Sequence, residues 1–222
     1  MKKILLLLAA IVLLSPAAFA QKTKVVIETN YGKIVLMLYD GTPKHRDNMI
    51  SLIKKGFYDS TLFHRVITNF MIQGGDPDSK HAAAQAMLGE GDVGYRIPAE
   101  INDQYFHKRG AVGMARDANP EKASSGCQFY IVTGKKFIDR ELDHAAARTG
   151  RTISPEQREV YKTIGGTAQL DGNYTVFGEV LEGMDVADKI SLAPRNAADR
   201  PNENIVMTHV YLLKKKKHFL FF

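Results

Sequence analysis

Residues 24–39 read KVVIETNYGKIVLMLY. Ile27 and Thr29, then Ile34, Leu36 and Leu38, recur at spacing two, and Asn30-Tyr31-Gly32 interrupts them with turn residues. Alternation with many β-branched residues predicts two strands around a tight turn. The next segment, TPKHRDNMISLIKKG (42–56), changes period. Thr42 can cap, Pro43 suits a first helical position, Met49, Leu52 and Ile53 form an apolar stripe, and Gly56 can end the helix. Such a helix is expected to close one end of a sheet or barrel.

Further along, GAVGMA (110–115), CQFYIVT (127–133), YTVFGEVL (174–181) and NIVMTHVYLL (204–213) read as strands. Asp76 to Asp103 is polar and glycine-studded, with a helical turn expected over Ala82 to Met87. Residues 134–168 differ from the rest. Asp139 to Arg148 reads as a helix, and Ser154-Pro155-Glu156-Gln157 has the capping-box pattern for a second that stops at Gly165-Gly166. A short helix is expected around Asp185 to Ile190. Glycine-bounded strands with few helices between them predict a mainly antiparallel β domain, and hiding its edges favours a closed barrel.

The start, MKKILLLLAAIVLLSPAAFA, has the form of an export signal. Lys2 and Lys3 precede an apolar run from Ile4 to Leu14, and Ala18-Phe19-Ala20 offers the small residues of a cleavage site. The run falls short of the roughly 20 residues of a membrane span. Residues 1–20 are therefore expected to be a signal peptide, with residues 21–213 as one domain carrying an insertion at 134–168 and residues 214–222 as a tail. The formal charge is +6, and without Lys2 and Lys3 it is +4; Lys214 to Lys217 account for that remainder. No basic face with interleaved aromatics accompanies the tail, so nucleic acid is not an expected partner. Cys127 is the sole thiol, which excludes a disulfide framework and reads as a buried, inert side chain.

The chain offers no G-x-S-x-G elbow for nucleophilic catalysis. Its seven histidines show no H-x-H or H-E-x-x-H spacing, and no C-x-x-C occurs. No metal or cofactor is implied. The segment FHRVITNFMIQGGD (63–76) resembles the signature of the cyclophilin-type peptidyl-prolyl isomerases. GAVGMARDANPEKASSGCQFYIVT and LDGNYTVFGEVLEGMDV are similar to the family's second and third signatures, in the family's order. The resemblance spans about residues 24–213 apart from the insertion, and implies a closed eight-stranded antiparallel barrel with capping helices.

It also implies roles. Arg65 would be the principal catalytic residue, donating to the proline nitrogen of a twisted amide, with Gln73 holding it. Phe70 and Met71, with Tyr130 and Leu170, would grip the proline ring. Gln128, Ala115 and Arg116 would contact the residues before proline, and His64 and Tyr174 would border the pocket. Taken alone, Phe70, Met71 and Leu170 would read as ordinary core. Several positions depart from the family pattern. Gln169 stands where many eukaryotic members carry a tryptophan that helps bind cyclosporin, so tight binding of that inhibitor is not expected. Tyr130 replaces the commoner phenylalanine and brings a hydroxyl that needs a partner. Arg116 and Tyr174 stand where others have asparagine and histidine, and Cys127 replaces a serine. The expected partners are proline-containing polypeptides folding after export, in the periplasm or, in a single-membrane host, outside the cell. A monomer is expected. The rival reading is a peptide-binding module or holdase that uses the same groove without catalysis.

Overall fold

The computed structural model describes residues 23–83 and 86–213. The expected signal peptide and the basic tail lie outside these, as do Ala84 and Gln85 in the expected 82–87 turn. The opening hairpin forms as read: Lys24–Thr29 (β1) pairs antiparallel with Gly32–Leu38 (β2), Ile27 opposite Ile34. Met207–Leu212 (β10) takes the other edge of β1. β2 continues to Val176–Glu182 (β9), then Ala111–Met114 (β6), Phe129–Val132 (β8), Met71–Gly74 (β4) and Phe63–Ile67 (β3). Every pairing in this eight-stranded sheet is antiparallel.

The sheet is open and strongly curled. Its terminal strands, β10 and β3, do not form a ladder with each other. They are brought close by one isolated bridge, Leu62 to Val206, and by the Phe63 N–H donating to Ile205 O at 2.9 Å. The closed barrel expected from edge hiding is therefore not present as a continuous ladder; a few main-chain contacts stand in for it. A second, two-stranded sheet pairs Arg96–Ile97 (β5) with Ser124–Ser125 (β7). The sequence did not suggest these strands, because two residues carry no period.

Helix Pro43–Lys54 (α1) buries Met49, Leu52 and Ile53 against the sheet's inner face, as the stripe required. Gly56 follows at φ +64°, a conformation that favours glycine. Thr42 makes no capping bond through its side chain. Glu100 supplies the cap instead, accepting from the N–H groups of Lys44 and His45 at 3.0 Å each. A carboxylate at a helix N-terminus satisfies orphan donors and complements the dipole. Met184–Ser191 (α4) packs Val186, Ala187 and Ile190 into the same core.

Residues 134–168 hold Asp139–Thr149 (α2) and Pro155–Thr163 (α3). The Ser154 box forms, with Gln157 N–H donating to Ser154 Oγ and Ser154 N–H to Gln157 Oε1. These helices share a small core of their own, in which Phe137, Leu142, Ile153 and Tyr161 close around Phe106. Among the described residues, no helix is long and apolar enough to cross a membrane.

Candidate active site

Register builds the site. Arg65 of β3 lies opposite Gln73 of β4, Gln73 opposite Tyr130 of β8, and Tyr130 opposite Gly113 of β6. The row runs across four strands on the outer face. One position away, Val66, Ile72, Ile131 and Val112 form the neighbouring row and face the core. β3 reaches this arrangement through a bulge. Phe63 pairs with Gly74 and Arg65 with Gln73, so His64 is an extra residue between them. The bulge lets Phe63 enter the core while Arg65, two residues later, faces outward.

Arg65 is half-exposed, at 43% for its side chain. Nη1 stands 3.5 Å from Gln73 Oε1, a loose contact. Gln73 Nε2 donates to Gln128 Oε1 at 3.0 Å, and Gln128 Nε2 donates to the carbonyls of Gly89 and Gly91 at 2.8 Å each. With both carbonyls accepting, the orientations of the two amides are fixed in sequence, and Gln73 turns its oxygen to the arginine. Asp199 is the carboxylate paired with Arg65, but Oδ2 lies 3.9 Å from Nε, and Oδ1 takes the Nε–H of Arg195 at 3.2 Å. The guanidinium is steered, not locked.

A pocket of about 180 Å³ opens beside it. Phe70, from the β3–β4 turn, Met71 and Leu170, from the short 3₁₀ turn Ala168–Leu170, line it, with the buried Tyr130 as its floor. Ala115, Arg116 and Tyr174 complete the rim. Arg116 stacks on Tyr174 at 4.9 Å and donates Nε–H to Asn173 O at 2.8 Å. Gly113 permits this floor, because a Cβ there would overlap the Tyr130 ring. The Tyr130 hydroxyl finds its partner in His107 Nε2 at 2.9 Å. A second depression, of about 320 Å³, adjoins through Gln73, Ala115 and Arg116 and includes Gln128, Gly89 and Arg96. Among the described residues, the first pocket's lining includes no serine, cysteine or carboxylate.

Gln128 lines the second depression, beside Ala115 and Arg116. One expectation needs adjustment. His64 does not border the pocket: it is 3% exposed, and neither ring nitrogen has a hydrogen-bond partner. Burial pushes its pKa down to about 4. The bulge turns it inward, a consequence of register that residue type alone does not reveal. Cys127 is fully buried, and burial raises its thiol pKa to about 11, as an inert cysteine requires. The loop residues Gly89, Gly91 and Asp199 were given no role in this site from the sequence, since they act through carbonyls or from a distant turn.

The model of the cyclophilin type peptidyl-prolyl cis-trans isomerase family matches residues 24–212. The chain belongs to that family. It is accordingly a peptidyl-prolyl cis-trans isomerase, of a family that acts on proline-containing peptides. A Staphylococcus epidermidis protein named for this activity is 36% identical over 188 residues, covering 84% of this chain and 90% of its own length. A Streptococcus pyogenes protein, whose name joins a phosphatase to a peptidyl-prolyl cis-trans isomerase, is 35% identical over 189 residues. That match covers 83% of this chain but only 37% of the streptococcal protein. Among solved structures, a cyclophilin type isomerase of Cryptosporidium parvum matches with a TM-score of 0.64 at 23% identity, over 88% of this chain and 99% of its own. It shares the fold.

Proposed function

We propose that the enzyme accelerates rotation about Xaa-Pro bonds by binding the twisted amide more tightly than either planar form, with Arg65 as the discriminating group. The uncatalysed barrier of about 18–20 kcal/mol is loss of amide resonance, and exchange takes about 10–100 s. No covalent intermediate is needed to lower it. As the bond twists, the proline nitrogen becomes pyramidal and exposes a lone pair. A fixed cation donating there is favoured in the transition state over the ground state, the condition for catalysis. Arginine stays charged and offers several donors in one plane. Phe70, Met71, Tyr130 and Leu170 hold the proline ring still, while Gln73 and Gln128 receive the preceding backbone and leave its carbonyl free to turn.

The observation that carries this reading is the placement of Arg65: on the pocket's edge, half-exposed, backed by Gln73 and, among the described residues, with no carboxylate closer than 3.9 Å. A module that only bound peptides would not require a cation aimed at a proline nitrogen. The test is cis–trans exchange of an Ala-Pro peptide followed by NMR. Arg65→Ala is expected to lose at least about a hundredfold in activity, close to 2.7 kcal/mol on the barrier. Peptide contact without accelerated exchange, indifferent to the substitution, would instead favour the holdase.

The substrates in this reading are polypeptides folding after export, met by a monomer in the periplasm of a two-membrane cell or outside a single-membrane one. The support is the pattern of Lys2, Lys3, the apolar run and Ala18-Phe19-Ala20. Terminal sequencing of the protein from the exported fraction should begin at Gln21; an intact Met1 in the cytosol would rule the compartment out.

A further inference from the structure

The hydroxyl that distinguishes Tyr130 begins a buried relay leading away from the pocket. Tyr130 O–H meets His107 Nε2 at 2.9 Å. His107 Nδ1 lies 2.7 Å from Asp171 Oδ1, which also accepts the His107 backbone N–H at 2.9 Å. Asp171 Oδ2 accepts Tyr161 O–H at 2.6 Å. All four residues are at most 4% exposed. In the tautomer that carries its proton on Nδ1, His107 donates to Asp171 and Nε2 accepts from the Tyr130 hydroxyl, which joins all four side chains in one direction.

The relay bears on the pocket at two points. His107 stacks on the Tyr130 ring, with centroids 6.0 Å apart and planes 13° from parallel, so floor and relay share an orientation. Asp171 directly follows the lining residue Leu170, and the bonds that hold its carboxylate also constrain where Leu170 stands. At its far end the relay reaches α3. The Tyr161 ring sits edge-on between Phe106 and Phe137, at centroid distances of 5.4 and 5.6 Å, and Phe137 N–H donates to Tyr161 O. Tyr161 thus joins the helical excursion to the proline pocket through side chains that never touch substrate.

We infer that His107, Asp171 and Tyr161 are positioning residues through which the helical excursion sets the shape of the proline pocket. The Tyr130 hydroxyl is the link that makes binding depend on the excursion. The inference rests on the reading that this pocket grips proline. It assigns residues 134–168 a part in substrate binding that their distance from Arg65 in the sequence hides.

A double-mutant cycle in the full chain tests it, with Tyr161→Phe, Tyr130→Phe and the pair compared by exchange NMR on an Ala-Pro peptide. Tyr161→Phe removes one oxygen and keeps the ring. It is expected to raise KM by about three- to tenfold, the range for coupled neighbours, with little change in exchange rate at saturation, because ring positioning serves planar and twisted forms alike. In the Tyr130→Phe background the same substitution should cost less than about 1.5-fold, since the link is already cut. Ring-labelled tyrosine spectra give a second readout, in which Tyr161→Phe should shift the Tyr130 resonances. An equal penalty in both backgrounds, or an unmoved Tyr130 ring, would overturn the relay. If the wild type showed no exchange at all, the isomerase reading would fall, while the ring shift and peptide affinity would still decide the relay.

Discussion

His64 gives acidification a calculable effect on this fold. It is the extra residue of the β3 bulge, nearly inaccessible and without a hydrogen-bond partner for either nitrogen. Burial lowers its pKa from 6.5 to about 4; Asp76 and the nearby Leu62 backbone, too poorly aligned for a full hydrogen bond, pull it up, while Arg200 and Arg65 push it further down. The folded value lies below the unfolded one, so protons go first to the unfolded chain. The stability contribution is intact above about pH 6.5, erodes as pH falls and is lost near pH 4. At 1.36 kcal/mol per pKa unit the whole effect is on the order of 3 kcal/mol. Between about pH 7 and pH 5, linkage gives a loss of about 2 kcal/mol. In a domain of this size that is about 4–7 °C in Tm.

His64→Gln should remove this dependence. Urea unfolding of both proteins across that pH range isolates the residue. Groups that do not act on His64, such as His45, whose pKa burial also lowers against its bond to Glu100, titrate equally in the two and cancel. The wild type should lose about 2 kcal/mol more than the variant over the interval. Parallel stability curves would mean that His64 finds a proton or a water when folded, and the account of the bulge as a dry, unpartnered site would fail.

Gly113→Ala should push the Tyr130 ring into the pocket, since the added Cβ overlaps it; overpacking of about 1–3 kcal/mol is expected, with a fall in exchange activity larger than the drop in Tm alone would give. Glu100→Ala removes the acceptor for two helix N–H groups and for His45 Nδ1 at 2.7 Å. It should cost about 2–3 kcal/mol in urea unfolding, and a value near zero would show that α1 has another cap. Asp199→Asn withdraws a distant, half-exposed ion-pair partner from Arg65. Exchange activity should stay within about fivefold of wild type, as such pairs contribute at most about 1 kcal/mol. A collapse would show that Asp199 holds the guanidinium in place.

The hairpin, α1 and the Ser154 capping box were legible in the sequence because each rests on near neighbours: alternation, stripe and cap lie within a few residues. The resemblance to cyclophilins supplied Arg65, Phe70, Met71 and Leu170, whose periodicity alone would have sent three of the four to the core. What stayed hidden depends on register or on distance. Nothing in FHRVI says that His64 is a bulge residue, because a bulge exists only relative to β4. Glu100 lies 55 residues from the helix it caps, and Thr42 looked sufficient by itself. Tyr130 was seen to need a partner, but His107 and Asp171 become its support only when Lys108 and Gly166 pair and bring their segments together.

One consequence of the register concerns how this protein separates function from stability. On β3, β4, β8 and β6 the row Arg65–Gln73–Tyr130–Gly113 meets the substrate side, and the adjacent row Val66–Ile72–Ile131–Val112 fills the core. Neighbouring positions on one strand therefore answer to different demands. A catalyst of rotation gains from this, because the groups that must tell a twisted amide from a flat one stand on a sheet whose other face is fully packed. His64 is where the two rows cross. Its bulge brings Phe63 inward and Arg65 outward within three residues; were His64 paired in regular register instead, Arg65 would fall opposite Ile72 and face the core. The unpartnered histidine is the cost of placing an arginine on the face where an amide can reach it.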